Sequence, residues 1–351
     1  MRHLLFCTKD YSYEILRPLQ EAALALGHEV AWFCRGTTPR LRAEESQLKS
    51  ISDVARWKPD VVYSAGNWTP TFVSGLKVQV FHGFSVDKRS RARGHFRIRD
   101  GFDLYCTQGP DTTKPFEAIA DKKRTFRVRE TGWSKMDGLV REQPKARSIP
   151  AGKPCVLFGS TFSRELTAAP VLADEIERLS LSGEWHWLVT LHPKMDAEFV
   201  RRYRDMQHEH LEFVETADLL PAMKAAQLLV TDTSSIGAEF LLQRRPLVTF
   251  RNRKPSPYML NVTQVEELAP AVRAALDPSV ELMNRISEQG DHIHPYRDGR
   301  SAERVVAAAI ECIGLGRDGL KRKRTSLFRD LQSRKRLRYW PWAKEASADS
   351  Q

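Results

Sequence analysis

Short apolar runs alternate with segments of helical spacing from the start of the chain. Residues 3–7 and 30–34 are apolar runs of strand length. Between them, residues 13–26 place apolar side chains three and four positions apart, and Gly27 ends this pattern. A strand, a helix and a second strand in this order predict parallel strands that are covered by helices.

The same alternation runs through both halves of the chain. The polar segment at residues 141–153 contains two prolines and is the best candidate for a linker. Two halves of roughly 150 residues each predict an α/β protein of two facing, doubly wound, Rossmann-like domains with a central cleft. The predicted domains are residues 1–140 and 154–316, followed by a basic C-terminal tail at 317–351. We predict further strands at residues 61–64, 78–81, 104–107, 126–128, 155–158, 185–191, 211–214, 228–232 and 246–250, and further helices at 115–120, 168–181, 197–208, 219–226 and 236–243.

The chain of 351 residues has a net charge of +11, from 55 basic and 44 acidic residues, and this charge is unevenly distributed. The tail contains 11 Lys and Arg against 4 Asp and Glu, so the rest of the chain carries only +4. A nucleic-acid-binding protein would carry basic charge on its body, so no nucleic-acid partner is predicted. Basic clusters with interleaved aromatic residues suit an anionic membrane surface, here through residues 317–342. A solvated, disordered tail is the alternative. The clusters and aromatic residues are 321–324, 334–338, Phe328, Tyr339, Trp340 and Trp342.

Several protein classes are excluded by features that the sequence lacks. No apolar run approaches the ~20 residues that cross a bilayer, and the apolar stretch at the N-terminus is too short for a signal peptide. We therefore expect a cytoplasmic protein. The five cysteines are scattered without CxxC spacing, so reduced core residues and no metal site are expected. The lack of GxGxxG, GxSxG, HExxH and P-loop motifs argues against dinucleotide oxidoreductases, esterases, zincins and P-loop enzymes.

Two histidines follow predicted strands, one in each half. Next to His82, Gly83 lets the backbone turn and a ligand approach. Next to His192, Pro193 fixes the turn, and Lys194 adds a positive charge that suits a phosphate. Ligands of doubly wound sheets bind outside the carboxyl ends of the strands, so both histidines are candidates for chemistry there. A turn histidine that caps a strand and a solvated turn are the respective alternatives.

The sharpest local signal is a hydroxyl-rich turn between the strand at residues 228–232 and the helix at 236–243. Its hydroxyls and the backbone N–H groups at the helix start form an anion site that suits a diphosphate. Ordinary N-capping is the alternative, but it uses one hydroxyl rather than three in a row. A stretch at residues 159–163 also follows a strand and is predicted to line the same cleft. The candidate residues of the two stretches are Ser160, Thr161, Asp232, Thr233, Ser234 and Ser235.

Five short motifs, taken in order, resemble those of the CDP-glycerol glycerophosphotransferases of the teichoic-acid polymerase type. The resemblance covers roughly residues 60–312 and implies the GT-B fold, with an N-terminal acceptor domain and a C-terminal nucleotide-donor domain. The matching segments are Phe81-His82-Gly83 for the family's WHG, residues 132–137 for G-x-P-R-x-D, 190–193 for R-x-H-P, 231–235 for T-D-Y-S-S, and 298–305 for D-G-x-x-S-x-R-V with the serine one place early.

The resemblance also implies roles for individual residues. His82 matches the histidine that is thought to be the base acting on the acceptor hydroxyl, and His192 matches the one at the donor's phosphates. Breaking a phosphoanhydride requires such a base and positive or N–H groups for the departing charge. Donor contacts are expected at Gly83, Ser160, Thr161, Lys194, Asp232, Thr233, Ser234 and Ser235, with Glu239 as a candidate for the nucleotide ribose and Lys135, Asp137 and Asp298 as secondary candidates.

Departures from the family's motifs leave the donor open. The family's tryptophan is Phe81 here, its tyrosine is Thr233, and the R-x-H-P arginine is Thr190, whereas Ser134 and Lys135 replace the proline and arginine of G-x-P-R-x-D. CDP-glycerol, CDP-ribitol and a nucleotide sugar are all candidate donors.

The expected acceptor is an envelope polysaccharide or a lipid-linked molecule, reached from the inner face of the cell membrane. The chain lacks the long N-terminal region of the large polymerases, so a single addition is expected. No cofactor is firmly implied, and a need for a divalent metal is open. The alternatives are a nucleotide-sugar glycosyltransferase, an enzyme like UDP-N-acetylglucosamine 2-epimerase, and a non-catalytic binding protein of the same fold.

Overall fold

The computed structural model describes residues 1–84, 96, 98, 100–141, 152–215, 218–323 and 327–340. The chain forms two compact units. The first contains residues 1–82, the described part of 86–137, and the described residues from Asp298 onward, whereas the second contains Gly83, Phe84 and the described part of 138–297. Each unit is built on a parallel six-stranded sheet with flanking helices, so the predicted α/β fold class is confirmed. Most of the predicted linker lies outside the described residues.

The first unit has its strands in the order β2-β1-β3-β4-β5-β6, all parallel. Helix α1 buries the apolar face that its spacing predicts, including Ile15, Leu16 and Leu19. The elements are β1 (Arg2–Cys7), α1 (Ser12–Ala25), β2 (Glu29–Cys34), α2 (Ile51–Trp57), β3 (Val61–Ser64), β4 (Leu76–Gln79), β5 (Leu104–Thr107), α3 (Pro110–Lys123), β6 (Arg127–Glu130) and a 3-10 turn (Ser134–Met136) that leads into α4 (Asp137–Val140).

The second unit has the strand order β12-β11-β10-β7-β8-β9, again all parallel. Strands β7, β8, β10 and β11 are buried along their whole length, as expected for a sheet covered on both faces. The elements are β7 (Cys155–Ser160), α5 (Ala169–Leu181), β8 (His186–Leu191), α6 (Ala197–Asp205), β9 (Leu211–Phe213), α7 (Leu219–Ala225), β10 (Leu228–Thr231), α8 (Ile236–Leu241), β11 (Leu247–Phe250), β12 (Leu260–Val262), a 3-10 turn (Val265–Glu267), α9 (Leu268–Leu276) and α10 (Val280–Ile293).

Helix α11 (Ser301–Gly314) packs on the first unit, against α1 and the strands β4 and β5. The sequence-based boundary placed this helix in the domain of residues 154–316, so the packing differs from that expectation. The physical reason is its buried face, with Ala302, Val305, Val306 and Ala309, which the first unit covers. Hydrophobic spacing predicts a helix with one apolar face, but it does not say which sheet covers that face.

The described part of the basic tail is ordered against the first unit. Lys323 donates a hydrogen bond to the Asp103 carboxylate at 2.6 Å. Helix α12 (Leu327–Leu337) follows, and Leu337 is buried in the core of the first unit. The guanidinium of Arg334 lies 4.6 Å from the ring centre of Phe72. The alternative of a solvated, disordered tail therefore does not hold for residues 327–340.

No helix within the described ranges is long and apolar enough to span a membrane. The longest helices have 14 residues.

Candidate functional site

A backbone carbonyl group holds the side chain of His82 at the carboxyl end of the first unit's sheet. Its Nδ1 lies 2.9 Å from the carbonyl oxygen of Ala65, in the connection that follows the adjacent strand β3. Because a carbonyl can only accept, Nδ1 carries the proton in the neutral ring and Nε2 keeps its lone pair. Phe81, just before it, has a φ of 56°, which is rare for a residue with a side chain. Such strain is typical of functional sites.

Tyr11 is the aromatic neighbour of His82, and the sequence analysis did not identify it. The two rings stack with centroids 5.0 Å apart and planes 24° apart. The His82 residue is exposed at the sheet edge, but desolvation of its ring by neighbouring groups lowers its pKa from 6.5, and the hydrogen bond to Ala65 opposes this change. The lowered pKa favours the neutral imidazole, in the tautomer that leaves Nε2 as a base. Tyr11 follows strand β1, and its position after a strand end was the only signal that sequence could offer.

Gly83 directly follows His82 and is half-buried. A Cβ atom built on Gly83 would meet no heavy atom within 4 Å, so packing alone does not require glycine at this position.

His192 lies at the carboxyl end of β8 in the second unit and is exposed. Its Nδ1 accepts a hydrogen bond from the backbone N–H of Lys194 at 3.0 Å, so the neutral ring carries its proton on Nε2. This is the opposite tautomer to that of His82. The imidazole ring of His192 also packs on the ring of Phe162, with centroids 4.4 Å apart. The Lys194 ammonium lies 5.6 Å from the centroid of the Phe162 ring. The local turn therefore sets His192 as an N–H donor, and His192 and the Lys194 ammonium both lie near Phe162.

Asp232 is buried beneath the carboxyl ends of β7 and β10, with 1% of its surface exposed. Its carboxylate accepts hydrogen bonds from Ser160 Oγ at 2.6 Å and from the backbone N–H groups of Thr161 and Ala168, each at 3.0 Å. Burial raises the pKa of Asp232, and these hydrogen bonds oppose the rise. Through these contacts, Asp232 and Ser160 position the loop between β7 and α5. Their side chains are not surface groups that face a ligand.

The turn after β10 is more accessible than Asp232. Thr233, Ser234 and Ser235 are half-buried, and Ser235, the N-cap residue of α8, makes no side-chain capping hydrogen bond. Ordinary N-capping thus does not account for the Ser235 hydroxyl. A Cβ on Gly159 would lie 2.9 Å from Ile236 Cδ1, so glycine lets the start of α8 approach β7 closely. Glu239 lies in the first turn of α8 and is half-buried.

A basic loop follows β11, and the sequence analysis missed it. The backbone N–H of Arg253 donates to Thr233 Oγ1 at 3.1 Å, and Asn252 Nδ2 donates to the carbonyl of Asp232 at 3.2 Å. These bonds tie the loop to the hydroxyl-rich turn. The run of Arg251, Arg253 and Lys254 directly after an apolar strand was the available signal.

The second unit therefore brings together the ends of four adjacent strands. The order β11-β10-β7-β8 puts Arg253, Thr233, Thr161 and His192 at neighbouring strand ends of one sheet edge. Cations, hydroxyls and an imidazole N–H at one edge can bind an anion such as a diphosphate.

The three secondary candidates have structural contacts in the first unit. Asp137 is buried and accepts hydrogen bonds from the N–H groups that begin α11. Lys135 forms an ion pair with Glu14 at 3.6 Å. Asp298 accepts a hydrogen bond from the Arg300 N–H at 3.0 Å and pairs with Arg304. The described residues contain no group of three or more His, Cys, Asp or Glu side chains that could hold a metal ion.

Two α/β units, each built on a parallel sheet and each with a site at its strand ends, define a GT-B-like protein. Solved structures share this fold. The chain is similar to the wall teichoic acid polymerase TagF, with a TM-score of 0.67 and 14% identity over 89% of each chain. It is also similar to S. aureus MnaA in a co-structure with UDP, with a TM-score of 0.63 and 16% identity over 90% of this chain and 97% of that one. A UDP-N-acetylglucosamine 2-epimerase gives 0.61 and 13%, over 93% and 99%. At such identities the likeness shows the fold alone.

The family is given by the sequence. A search of curated proteins gave no match. The sequence model of the CDP-glycerol:poly(glycerophosphate) glycerophosphotransferases matches residues 83–311, well over half of the chain. The chain belongs to this family, and the resemblance that the five motifs carry is confirmed.

Proposed function

We propose that the protein transfers a polyol-phosphate group, such as glycerophosphate, from a CDP-activated donor to a hydroxyl of an envelope polysaccharide or lipid-linked acceptor. The observation that carries this proposal is the hydrogen bond that holds His82 Nδ1 on the carbonyl of Ala65 and leaves Nε2 as the base nitrogen, with a pKa lowered from 6.5. A general base for a hydroxyl needs an unprotonated nitrogen, which this tautomer places at Nε2. The family's own description supplies the donor and acceptor classes, and one TagF structure was soaked with CDPG.

In the proposed reaction, His82 Nε2 takes the proton of the acceptor hydroxyl as its oxygen attacks the distal phosphorus of the donor. The phosphoanhydride bond breaks, and CMP leaves with the bonding electron pair. The increasing charge on CMP is met by the His192 Nε2–H, the Lys194 ammonium and the hydroxyls of Ser234 and Ser235. Arg253 adds a further cation at this edge of the sheet, and Asp232 positions the loop that contains Thr161.

Acceptor-dependent release of CMP tests this function. Purified protein is incubated with CDP-glycerol, CDP-ribitol or UDP-N-acetylglucosamine, each with and without a glycerophosphate-oligomer acceptor. We expect CMP release only with a CDP-polyol and acceptor, and a loss of at least a hundredfold in His82→Ala, since general bases contribute about 10²–10⁴-fold. His292→Ala, which removes an exposed histidine, is the control. Full activity in His82→Ala excludes His82 as the base. Release of an altered sugar from the UDP donor without acceptor instead indicates the epimerase class.

We also propose that helix α12 rests on an anionic membrane surface, at the inner face of the cell membrane. Leu327, Phe328 and Leu331 are large apolar residues that are 79%, 73% and 51% exposed. Residues 327, 331 and 335 are spaced four positions apart, so Lys335 lies on the same helix face as the two leucines. Apolar side chains flanked by cations match the acyl boundary and phosphate headgroups of an anionic bilayer.

A further inference from the structure

The inner side of α12 lines a pocket in the first unit. The pocket has a volume of about 410 Å³. The helix contributes Arg329, Gln332, Ser333 and Arg336, and the chain between β3 and β5 contributes Asn67, Trp68, Thr69, Thr71, Ile98 and Gly101. None of these lining residues is acidic, so the pocket combines two cations with amide and hydroxyl groups. Its chemistry is that of a binding site for an anion with several oxygen acceptors.

The two arginines are placed by neighbours that fix their charged groups. The Arg336 guanidinium lies 4.0 Å from the ring centre of Trp68, and Trp68 in turn packs edge-on against Phe6. Stacking uses the flat face of the guanidinium and leaves its N–H groups pointing outward in the ring plane. Arg329 lies two helical turns earlier and forms an ion pair with Asp100 at 3.5 Å. The two charged groups thus come from the same face of one helix.

Thr69 is a buried polar residue in the wall of the pocket. This residue lines the pocket and is 3% exposed, and its hydroxyl oxygen has no hydrogen-bond partner among the described residues. A buried hydroxyl without a partner costs free energy unless a ligand or water satisfies it. Neighbouring Thr71 differs, because its hydroxyl donates to Asp330 at 3.0 Å.

The pocket is connected to the proposed base through one chain segment. Asn67 and Trp68 belong to the connection that begins at Ala65, the residue whose carbonyl holds His82 Nδ1. An acceptor of the family's class, a poly(glycerophosphate), carries a phosphodiester in every repeat. The fork of an arginine guanidinium suits the oxygens of such a group.

We propose that this pocket binds a phosphodiester group of the acceptor chain while the terminal hydroxyl lies at His82. The proposal rests on the proposed function, since it assigns a substrate class to the same reaction. It gives Arg329 and Arg336 a role in acceptor binding and none in donor binding. It also gives the described tail helix two faces with different partners, a phosphodiester inside and a bilayer outside.

Steady-state kinetics with a soluble glycerophosphate-oligomer acceptor test the pocket. We expect Arg329→Gln and Arg336→Gln to raise the acceptor KM at least tenfold, since hydrogen bonds to charged groups are worth about that factor or more. The KM for the CDP donor and kcat at saturating acceptor are expected to stay unchanged. Gln332→Glu places a carboxylate in the pocket at an exposed position that does not disturb folding, and we expect the same effect. The control, Arg285→Gln, removes an exposed arginine of α10.

Direct binding separates this proposal from the proposed function. Glycerophosphoglycerol, a soluble phosphodiester, is titrated by calorimetry into protein that is saturated with CDP, so that the nucleotide occupies the donor site. We expect a Kd at least tenfold weaker in the three pocket variants than in the wild type and Arg285→Gln. Equal Kd values and equal acceptor KM values in all of these proteins overturn the proposal for this pocket, whatever activity the transferase assay measures. Unchanged glycerophosphoglycerol binding together with lost binding to anionic vesicles also overturns it, because the arginines would then bind lipid headgroups. If the wild type lacks transferase activity but the variants lose phosphodiester binding, the proposed function fails while the pocket stands.

Discussion

The carboxylate of Asp137 accepts hydrogen bonds from the backbone N–H groups of Ser301 and Ala302, at 2.9 and 2.8 Å. These N–H groups begin helix α11, and the first N–H groups of a helix have no partner inside it. Asp137 ends one of the family's motifs and Ser301 belongs to another, 164 residues away. The two motifs therefore meet in a buried structural joint of the first unit, where sequence comparison alone suggested secondary site residues.

Replacement of Asp137 by alanine is expected to destabilise the first unit by about 1–2 kcal/mol, the upper part of the range found when a helix N-cap is removed. Asp137→Asn retains one acceptor oxygen and is expected to lose less. Urea unfolding followed by circular dichroism measures both changes. Asp298→Ala, which removes an exposed carboxylate of the same joint region, serves as the control and is expected to stay within about 0.5 kcal/mol of the wild type. Equal decreases in the free energy of unfolding in Asp137→Ala and Asp298→Ala would show that the buried contact stabilises the unit no more than an exposed carboxylate does.

Gly75 marks a close approach of two chain segments before β4. Its φ is +86°, and a Cβ atom there would lie 2.3 Å from the carbonyl oxygen of Pro59 and 2.7 Å from that of Asp60. Both obstacles are backbone atoms, so they cannot move aside as a side chain could. Gly75→Ala is expected to lower the free energy of unfolding by about 3 kcal/mol or more, from overpacking added to left-handed strain.

Gly36 offers a matched control for Gly75. Its φ is +66°, but a Cβ there would meet nothing within 4 Å. Gly36→Ala is therefore expected to cost only about 1 kcal/mol, from the left-handed conformation. Thermal and urea unfolding of the two variants isolate the clash, and a similar cost in both would mean that the segment around Gly75 relaxes freely.

Sequence periodicity was sufficient to predict the alternation of strands and helices and the strand ends where His82, His192 and the hydroxyl-rich turn lie. It could not predict that α11 packs on the first unit, because an apolar helix face is compatible with either sheet. It also could not separate Asp232 from Ser234. Both residues follow the same strand, yet the Asp232 carboxylate turns inward to Ser160, whereas Ser234 stays half-buried at the turn. Tyr11 and Arg253 were missed because their roles come from contacts with distant residues, His82 and Thr233.

The pH dependence of transfer is expected to report the stacking of Tyr11 on His82. A base works only when unprotonated, so kcat/KM falls as the pH drops through the pKa of His82. Because desolvation of the ring lowers this pKa from 6.5, the acidic fall of the wild-type profile is expected below pH 6.5. Tyr11→Ala admits water to the imidazole and is expected to move the fall to higher pH, toward 6.5.

The control for this pH shift is Tyr11→Phe, which keeps the ring stack and removes only the hydroxyl. Its profile is expected to match that of the wild type. If Tyr11→Ala leaves the acidic fall in place, then Tyr11 does not set the pKa of His82. A shift of equal size in Tyr11→Phe would assign the effect to the hydroxyl.

Flotation with lipid vesicles tests the outer face of α12. We expect the wild type to bind vesicles containing phosphatidylglycerol and to bind phosphatidylcholine vesicles far more weakly, because headgroup charge attracts Lys335. A triple variant with Leu327→Ser, Phe328→Ser and Leu331→Ser is expected to bind at least about a hundredfold more weakly, since each buried side chain contributes roughly 1–2 kcal/mol. These exposed positions contribute little to the core, so stability is expected to persist.

The double variant Leu181→Ser and Val280→Ser removes apolar side chains that are equally exposed in the second unit, and its binding should match the wild type. Loss of binding in both variants would indicate general adhesion, and a wild-type dimer that the triple variant dissociates in light scattering would assign this face to self-association instead.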